Sequence, residues 1–502
     1  MLTRRGFLRS SAAALAAATF APARWARADA DPFVRLDATA QAALVRSGEV
    51  TPLELVDAAI ARIERLEPTL NAFATTLFER ARTQAGGPLP DGPFRGVPYA
   101  IKDLSDYEGA RTTMGSRLFE DHLSDHDSGI VQRALSAGLV VLGKTNTPEF
   151  GLLPTTESLL LGPAHNPWDL GRSTAGSSGG AAAAVAAGLL PFAQASDGGG
   201  SIRNPASACG VFGLKPSRGR MFRTEAPLPG DIAVRFCVSR SVRDSATLLV
   251  HSQRSGPDAP LPPLDVVQGP SARRLKIAFT TDNGIGRAAD PEVVHALEET
   301  ARLCESLGHT VVPAAIPIDG EEFVYHFLSL WASLPRELDD NAWLIGLSQW
   351  RLVRSKDVLE PWTRGLAELD RERGPDSVEK AVAYMKRVER EYAAFFEEHD
   401  VQLTPVMREA AIPLGQQAPT VPFDELLPLV VDYSSYTPPH NAAGTPAMSI
   451  PLGMSRGSRP LPIGSQFAAR VGDERTLLEL AFELERARPW AGRWPPTNAL
   501  GA

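Results

Sequence analysis

Residues 176–190 read GSSGGAAAAVAAGLL, and residues 196–203 read SDGGGSIR. By composition alone such glycine and serine clusters are flexible connectors, because they bring no side chains to pack. The residues after each cluster argue against that. Ala181 to Leu190 joins high helix propensity to an almost complete lack of polar side chains, which predicts a buried helix. A polar loop leading into a buried helix puts hydroxyls and N–H groups in the interior, where each unpaired one costs about 1–3 kcal/mol. In the second cluster, Gly198, Gly199 and Gly200 are free to take left-handed conformations, so successive N–H groups can converge on one anion. Ser201 then sets a hydroxyl beside that anion hole, the arrangement that acyl transfer needs.

A serine nucleophile needs a base. The nine histidines are dispersed and none lies in HExxH; His122 and His126, in DHLSDHD, read as an exposed acidic loop rather than metal ligands. Cys209, Cys237 and Cys304 are too few and too scattered for a disulfide framework, and none forms a CxxC pair. Neither a metal nor another cofactor is expected. Cys209, eight residues after Ser201, reads as a small buried thiol backing the site. Lys102 closes the apolar run GVPYAIKD at 96–103. A lysine at a strand end is ordinarily solvated, but one flanked by buried residues can lose its proton, because desolvation disfavours the charged form.

Around these segments the chain has the rhythm of an α/β protein. Ala40 to Glu67 shows two helical periods broken at Gly48, with Thr51-Pro52 and Glu54 starting the second. Strand-like runs at Val97 to Ile101 and Val140 to Leu142 flank a helical pattern at Ile130 to Ala137, a βαβ unit that predicts a sheet with helices on its faces. Ser255 to Pro270 reads as a surface connection. Leu275 to Phe279 and Thr310 to Val312 are strand candidates, separated by a helix at Pro291 to Leu307. Residues 320–398 are helical and charged, a helical insertion carrying Trp331, Trp343, Trp350 and Trp362; most of these tryptophans are expected to pack between its helices. Trp343, Trp350 and Trp362, with Tyr433, Tyr436 and His440 further on, are the side chains expected to shape a neutral pocket.

The N-terminus carries its own signal. Thr3-Arg4-Arg5-Gly6-Phe7-Leu8-Arg9 precedes an apolar run at Ala12 to Ala21 and the small-x-small pattern Ala26-Arg27-Ala28, which resembles a twin-arginine export signal. The run is well short of the ~20 residues of a membrane span, so cleavage after about residue 28 is expected rather than a membrane anchor, with a periplasmic or secreted location. Residues 1–28 hold five arginines and no acid, so their removal takes the formal net charge from −8 to −13. So acidic a protein is a poor partner for nucleic acid or an anionic membrane.

Three pieces taken together resemble the amidase signature family: the lysine in GVPYAIKD, GSSGG before an alanine-rich helix, and DGGGSIRNPA at 197–206. Their spacing, 75 residues from Lys102 to Ser177 and 24 from Ser177 to Ser201, suits that family. So do Gly143-Lys144-Thr145-Asn146 and the NAAGTPA stretch at 441–447. The resemblance implies a mixed β-sheet sandwiched between helices over residues 29–502. It implies Ser201 as nucleophile, Ser177 as relay after a cis peptide at Gly176, and Lys102 as base. It further implies an oxyanion hole from the N–H groups of Gly198, Gly199 and Gly200, with that of Ser201, and Asp197 and Arg203 as braces of the loop. The resemblance implies a small-molecule amide as partner, and the uncharged pocket residues named above point to a neutral aliphatic or aryl one; a 6-aminohexanoate cyclic dimer, another oligoamide or a carbamate is the alternative, and a homodimer is the expected assembly. A phosphate-binding loop lacks its GxxxxGK[ST] pattern, and an amidotransferase subunit serving charged tRNA fits poorly with export.

Overall fold

The computed structural model describes residues 31–222 and 229–500, so the arginine-rich start lies outside the described residues. Helix α1 (Ala38–Ser47) ends at Gly48, whose φ of 74° stops it. Helix α2 (Pro52–Leu70) begins with a capping box: Thr51 Oγ1 accepts the Glu54 N–H at 3.2 Å and the Glu54 carboxylate accepts the Thr51 N–H at 2.8 Å. Its apolar face, Leu55, Val56, Ala59, Ile60 and Ile63, is buried. Next to it lies a three-stranded sheet of β1 (Phe73–Thr76), β2 (Pro98–Lys102) and β3 (Val140–Thr145), in which β3 is central. Strands β2 and β3 run parallel, joined through α3 (Gly129–Ser136), which is the βαβ unit seen in the sequence.

Helix α4 (Gly179–Ala186), with every residue buried, leads into β4 (Phe192–Asp197), and the equally buried α5 (Arg203–Cys209) leads into β5 (Phe212–Lys215). The main sheet continues with β6 (Val234–Ser239), β7 (Lys276–Phe279), helix α6 (Pro291–Ser306) and β8 (Thr310–Pro313). The chain then leaves the sheet through α7 (Gly320–Ser348), a single turn at Ser355–Val358, α8 (Pro361–Arg373) and α9 (Ser377–Glu398), and returns as β9 (Val401–Pro405). Helix α10 (Phe423–Tyr433), β10 (Ala447–Met454), β11 (Pro462–Ala469) and α11 (Glu474–Ala487) complete it.

The main sheet is mixed, in the order β8-β7-β9-β11-β10-β5-β6-β4; the first three strands are parallel to one another and the remaining pairings antiparallel. Neighbouring residues of β11 show the layering, because successive strand residues face opposite ways. A Cβ on Gly464 would come within 2.8 Å of Ser207 on α5, while Ser465 Oγ is 2.8 Å from Thr300 Oγ1 on α6. The sheet thus lies between helices, and α5 can approach it closely only where β11 has glycine. Among the described residues no helix is long and apolar enough to cross a membrane.

The tryptophans of residues 320–398 part company with expectation. Trp362 is buried and Trp331 half-buried, but Trp343 and Trp350 are 57% and 97% exposed. The inward face of α7 is already filled there by Leu338 and Ala342.

Candidate active site

Strand β2 delivers Lys102 into the interior next to β4. Its backbone N–H donates to Gln194 Oε1 at 2.7 Å, and its Nζ lies 2.6 Å from Ser177 Oγ and 3.0 Å from Ser196 Oγ. Burial pushes the amine well below its ordinary value; the more distant Asp197 charge opposes that shift and Arg235 reinforces it. Among the described residues no carboxylate lies within ion-pair distance of it. The adjacent Asp103 turns away to Lys144 at 3.2 Å and accepts the Thr113 N–H at 3.0 Å and its hydroxyl at 2.5 Å. Alternation along the strand thus separates two charges that are neighbours in sequence.

Ser177 follows a cis peptide with Gly176. Glycine is required at 176, because a Cβ there would sit 2.5 Å from the Thr155 carbonyl oxygen. The next residue, Ser178, stitches the two quoted clusters together. Its N–H donates to the Ser201 carbonyl at 3.3 Å, while its hydroxyl bonds both the N–H and the carbonyl of Ser196 at 3.2 Å. The two glycine-serine clusters are therefore two walls of one site.

The loop after β4 is held by a buried ionic network. The Arg203 guanidinium grips Asp197 with two bonds, 2.9 and 2.8 Å, and also donates to the Thr437 carbonyl, Gln466 Oε1 and Asn441 Oδ1 at 2.9, 2.7 and 2.6 Å. Asn441 in turn donates to the Asp197 carbonyl at 3.0 Å and its carboxylate at 2.9 Å. Burial alone would raise the Asp197 carboxyl; Arg203, with Lys215 and Asn441, outweighs it and holds the group well below the usual carboxylate range.

Gly200 departs from the expected role. Its N–H already donates to Asp197 Oδ1 at 2.7 Å, since a fixed carboxylate three residues back captures the donor. Gly200 braces the loop; its φ of 128°, and Thr437 Oγ1 only 2.2 Å from where its Cβ would be, demand glycine. Among the described residues the N–H groups of Gly198, Gly199 and Ser201 have no acceptor within the protein, and Gly199 and Ser201 line a cleft of about 670 Å³.

Among the described residues no charged side chain lines that cleft. One wall is an aromatic ladder on α7: Phe323, Phe327 and Trp331 stack in sequence with ring centroids 5.5 and 5.6 Å apart. It rests on the glycine loop, for Cβ atoms on Gly198 and Gly199 would come within 3.1 Å of Trp331 and 3.3 Å of Phe327. The indole N–H groups of Trp331 and Trp362 both donate to the Leu152 carbonyl at 3.2 Å, fixing α7 and α8 to the segment that backs Ser177.

Several side chains expected at the pocket lie elsewhere. Trp343 and Trp350 are on the outer surface. Tyr433 packs with Val406 and Met407, the Tyr436 hydroxyl donates to the Thr281 carbonyl at 2.6 Å, and buried His440 bonds Thr445 at 3.0 Å. Of that group only Trp362 reaches the cleft. Cys209 is buried outside the cleft lining, its thiol driven up by burial. The sequence reading missed Phe327 and Trp331, although the spacing of FVYHFLSLW at 323–331 puts three aromatic rings on one helix face. Ser196 and Asn441 were missed as contacts; nothing local to them marks their role.

A mixed sheet between helices that brings a buried lysine, two serines and a glycine loop to one cleft is the layout of an acyl-transferring hydrolase. The chain belongs to the Amidase family, which matches residues 54–478, and is an amide hydrolase of the amidase signature type. It is 38% identical to the 6-aminohexanoate-cyclic-dimer hydrolase of Pseudomonas sp. strain NK87 over 492 residues, 91% of this chain and 96% of that one. It is 33% identical to the acylamidase of Rhodococcus erythropolis, covering 93% and 98%. The solved structure of 6-aminohexanoate cyclic dimer hydrolase complexed with substrate superposes with a TM-score of 0.84 at 34% identity, covering 93% of this chain and all of that one.

Proposed function

We propose that the protein hydrolyses neutral, partly apolar amides through an acyl-enzyme on Ser201. The observation that carries this reading is Lys102, a buried amine whose pKa burial pushes well below its ordinary value, 2.6 Å from Ser177 Oγ and beside a cleft whose described lining is uncharged. Neutral Lys102 takes the proton of Ser177, and Ser177 takes that of Ser201 as its oxygen attacks the carbonyl carbon. The oxyanion meets the N–H groups of Gly198, Gly199 and Ser201. Ser177 returns a proton to the departing amine, and water, activated by the same relay, releases the acid.

The cleft sets the substrate class. A charged group brought into it would lose hydration without gaining a partner, which costs several kcal/mol. Neutral aliphatic and aryl amides fit, and the acylamidase and cyclic-dimer hydrolase among the relatives support such an amide over the zwitterionic amide glutamine. Cyclic 6-aminohexanoate dimers form the second reading, favoured by the structural likeness to the cyclic-dimer hydrolase. Export by the twin-arginine route is part of the proposal and rests on residues 3–28. The purified protein should be assayed against a neutral anilide, the cyclic dimer, a carbamate and glutamine. The anilide or the dimer should give the highest kcat/KM; glutamine in first place would defeat the proposal.

A further inference from the structure

The cleft is apolar except at one corner. Among the described residues, its polar side chains other than Ser201 and the two tied indoles are Asn204, Ser434 and Ser435. Ser435 is paired on both sides: its hydroxyl donates to the Asp432 carbonyl at 3.1 Å and accepts from Asn283 Nδ2 at 3.0 Å. Asn204 and Ser434 are only half used. The Asn204 amide, 1% exposed, donates one N–H to Ser434 Oγ at 2.8 Å, and among the described residues neither its second N–H nor the Ser434 hydroxyl hydrogen has an acceptor. Turning the amide over does not remove the surplus. Ser434 would then donate to the amide oxygen and Thr437 Oγ1, 3.3 Å from the other end of the amide and already donating to the Gly199 carbonyl at 2.7 Å, would accept one N–H. The other N–H would stay unspent.

Spare donors call for an acceptor. Water can meet them in the free enzyme, but a substrate that displaces this water with a methylene group leaves the donors bare, at about 1–3 kcal/mol each. An oxygen in its place restores the bond. That oxygen is neutral, because a carboxylate would bring its charge among side chains that include no cation.

The corner's distance from the chemistry follows from the chain. The Asn204 N–H donates to the Gly200 carbonyl at 2.7 Å, so Ser201 and Asn204 lie one helical turn apart on α5's first turn, their Cβ atoms about 5–6 Å from each other. Ser177, backed by Gly151, has to reach the departing nitrogen, which leaves the Asn204 corner to the acyl group. We infer that Asn204 and Ser434 are specificity-determining residues that bind a second, neutral carbonyl oxygen on the acyl chain, about four to six bonds from the scissile carbon. This rests on the acyl-enzyme reading at Ser201. Among neutral amides the enzyme then selects those whose acyl chain carries a ketone, ester or further amide.

The test compares heptananilide with its 5-oxo and 6-oxo derivatives, which exchange one methylene for a carbonyl and keep the scissile bond. In the wild type at least one oxo compound should exceed heptananilide in kcat/KM by about 10-fold, chiefly through KM. Ser434→Ala and Asn204→Leu should each shrink that ratio to about 1–3. General damage does not move the ratio, since a disturbed oxyanion loop slows the three anilides alike. Equal kcat/KM for all three in the wild type overturns the inference and leaves the Ser201 reading standing, as does a preference that survives both substitutions. A wild-type protein that cleaves none of them defeats the Ser201 reading, and the inference falls with it.

Discussion

Lys102 Nζ and Ser177 Oγ stand 2.6 Å apart, both buried, with the Ser196 hydroxyl as the other neighbour of the amine. An amine surrounded by hydroxyls rather than carboxylates is poised to accept a proton. Removing the nucleophile should therefore be nearly complete in effect: Ser201→Ala is expected to lower anilide turnover by at least ~10⁴-fold, with Lys102→Ala close behind. For Ser177→Ala the expected loss is smaller, about 10²–10³-fold, because a water in the vacated space can carry the relay. Steady-state rates with a thermal scan of each variant check this; a Ser201→Ala protein with wild-type turnover would sink the mechanism.

The lowered lysine also fixes the pH dependence. The base must be neutral, so kcat/KM should rise with pH through a pKa well below the ordinary 10.5 and then level off. Lys102→Arg places a side chain there that stays charged and cannot give up its proton, so it should be inactive at every pH. Stability follows the same sign. Between the folded and unfolded pKa the unfolded chain binds a proton that the folded one does not, so this residue's cost to stability shrinks as pH rises toward about 10.4. An acid limb near 10, or an active arginine variant, would count against the assignment.

Arg203 carries the loop, and its loss should be felt in the whole fold. Arg203→Ala leaves Asp197 buried without its cation and is expected to cost about 3–5 kcal/mol in denaturant unfolding. Asn441→Ala, which removes an uncharged donor to the same carboxylate, should cost about 1–3 kcal/mol. Since the folded Asp197 carboxyl is held below its unfolded value, its stabilisation is present above pH ~4 and lost as pH falls further. Acid titration of wild type and Arg203→Ala by circular dichroism should show that loss in the wild type alone.

Export is testable independently of catalysis. Replacing Arg4-Arg5 with Lys-Lys should leave the precursor uncleaved in the cytoplasm, read by cell fractionation and mass of the mature N-terminus. Unchanged processing would remove the twin-arginine assignment and leave the enzyme reading intact.

What could be read from the sequence was local. The cap at Thr51 and Glu54, the stop at Gly48 and the βαβ unit from Pro98 to Thr145 each depend on residues within a few positions or on one strand period, and their signals survive without knowledge of the partners. Lys102, Ser177 and Ser201 were singled out through the likeness of three short segments to the amidase signature pattern, and the fold sets Lys102 Nζ 2.6 Å from Ser177 Oγ and ties the two serine clusters together through Ser178. The donor set was not. Whether the Gly200 N–H faces substrate or Asp197 depends on one peptide plane, set by Asp197 and by Thr437, which is distant in sequence. The pocket aromatics failed for a related reason: Trp343 and Trp331 lie on the same helix, and which of them turns inward is decided by what α8 and the glycine loop already occupy.

That last contact yields a prediction of coupling. A Cβ on Gly198 would lie 3.1 Å from the Trp331 ring, and the ring is tied down by its N–H bond to the Leu152 carbonyl. In Gly198→Ala the ring resists, so the loop must shift and take the Gly198 N–H off the oxyanion position; a 10²-fold fall in kcat is the rough expectation for one misplaced donor. Trp331→Ala leaves that donor in place and widens the cleft, so it should raise KM for an anilide by about 10-fold while kcat changes little. If the two effects share this contact, the double variant gives the added methyl room, and its kcat should lie above that of Gly198→Ala alone. A double variant whose kcat loss is the simple product of the two singles would show that Trp331 does not press on the loop, and would return Gly198 to a role set by its backbone alone.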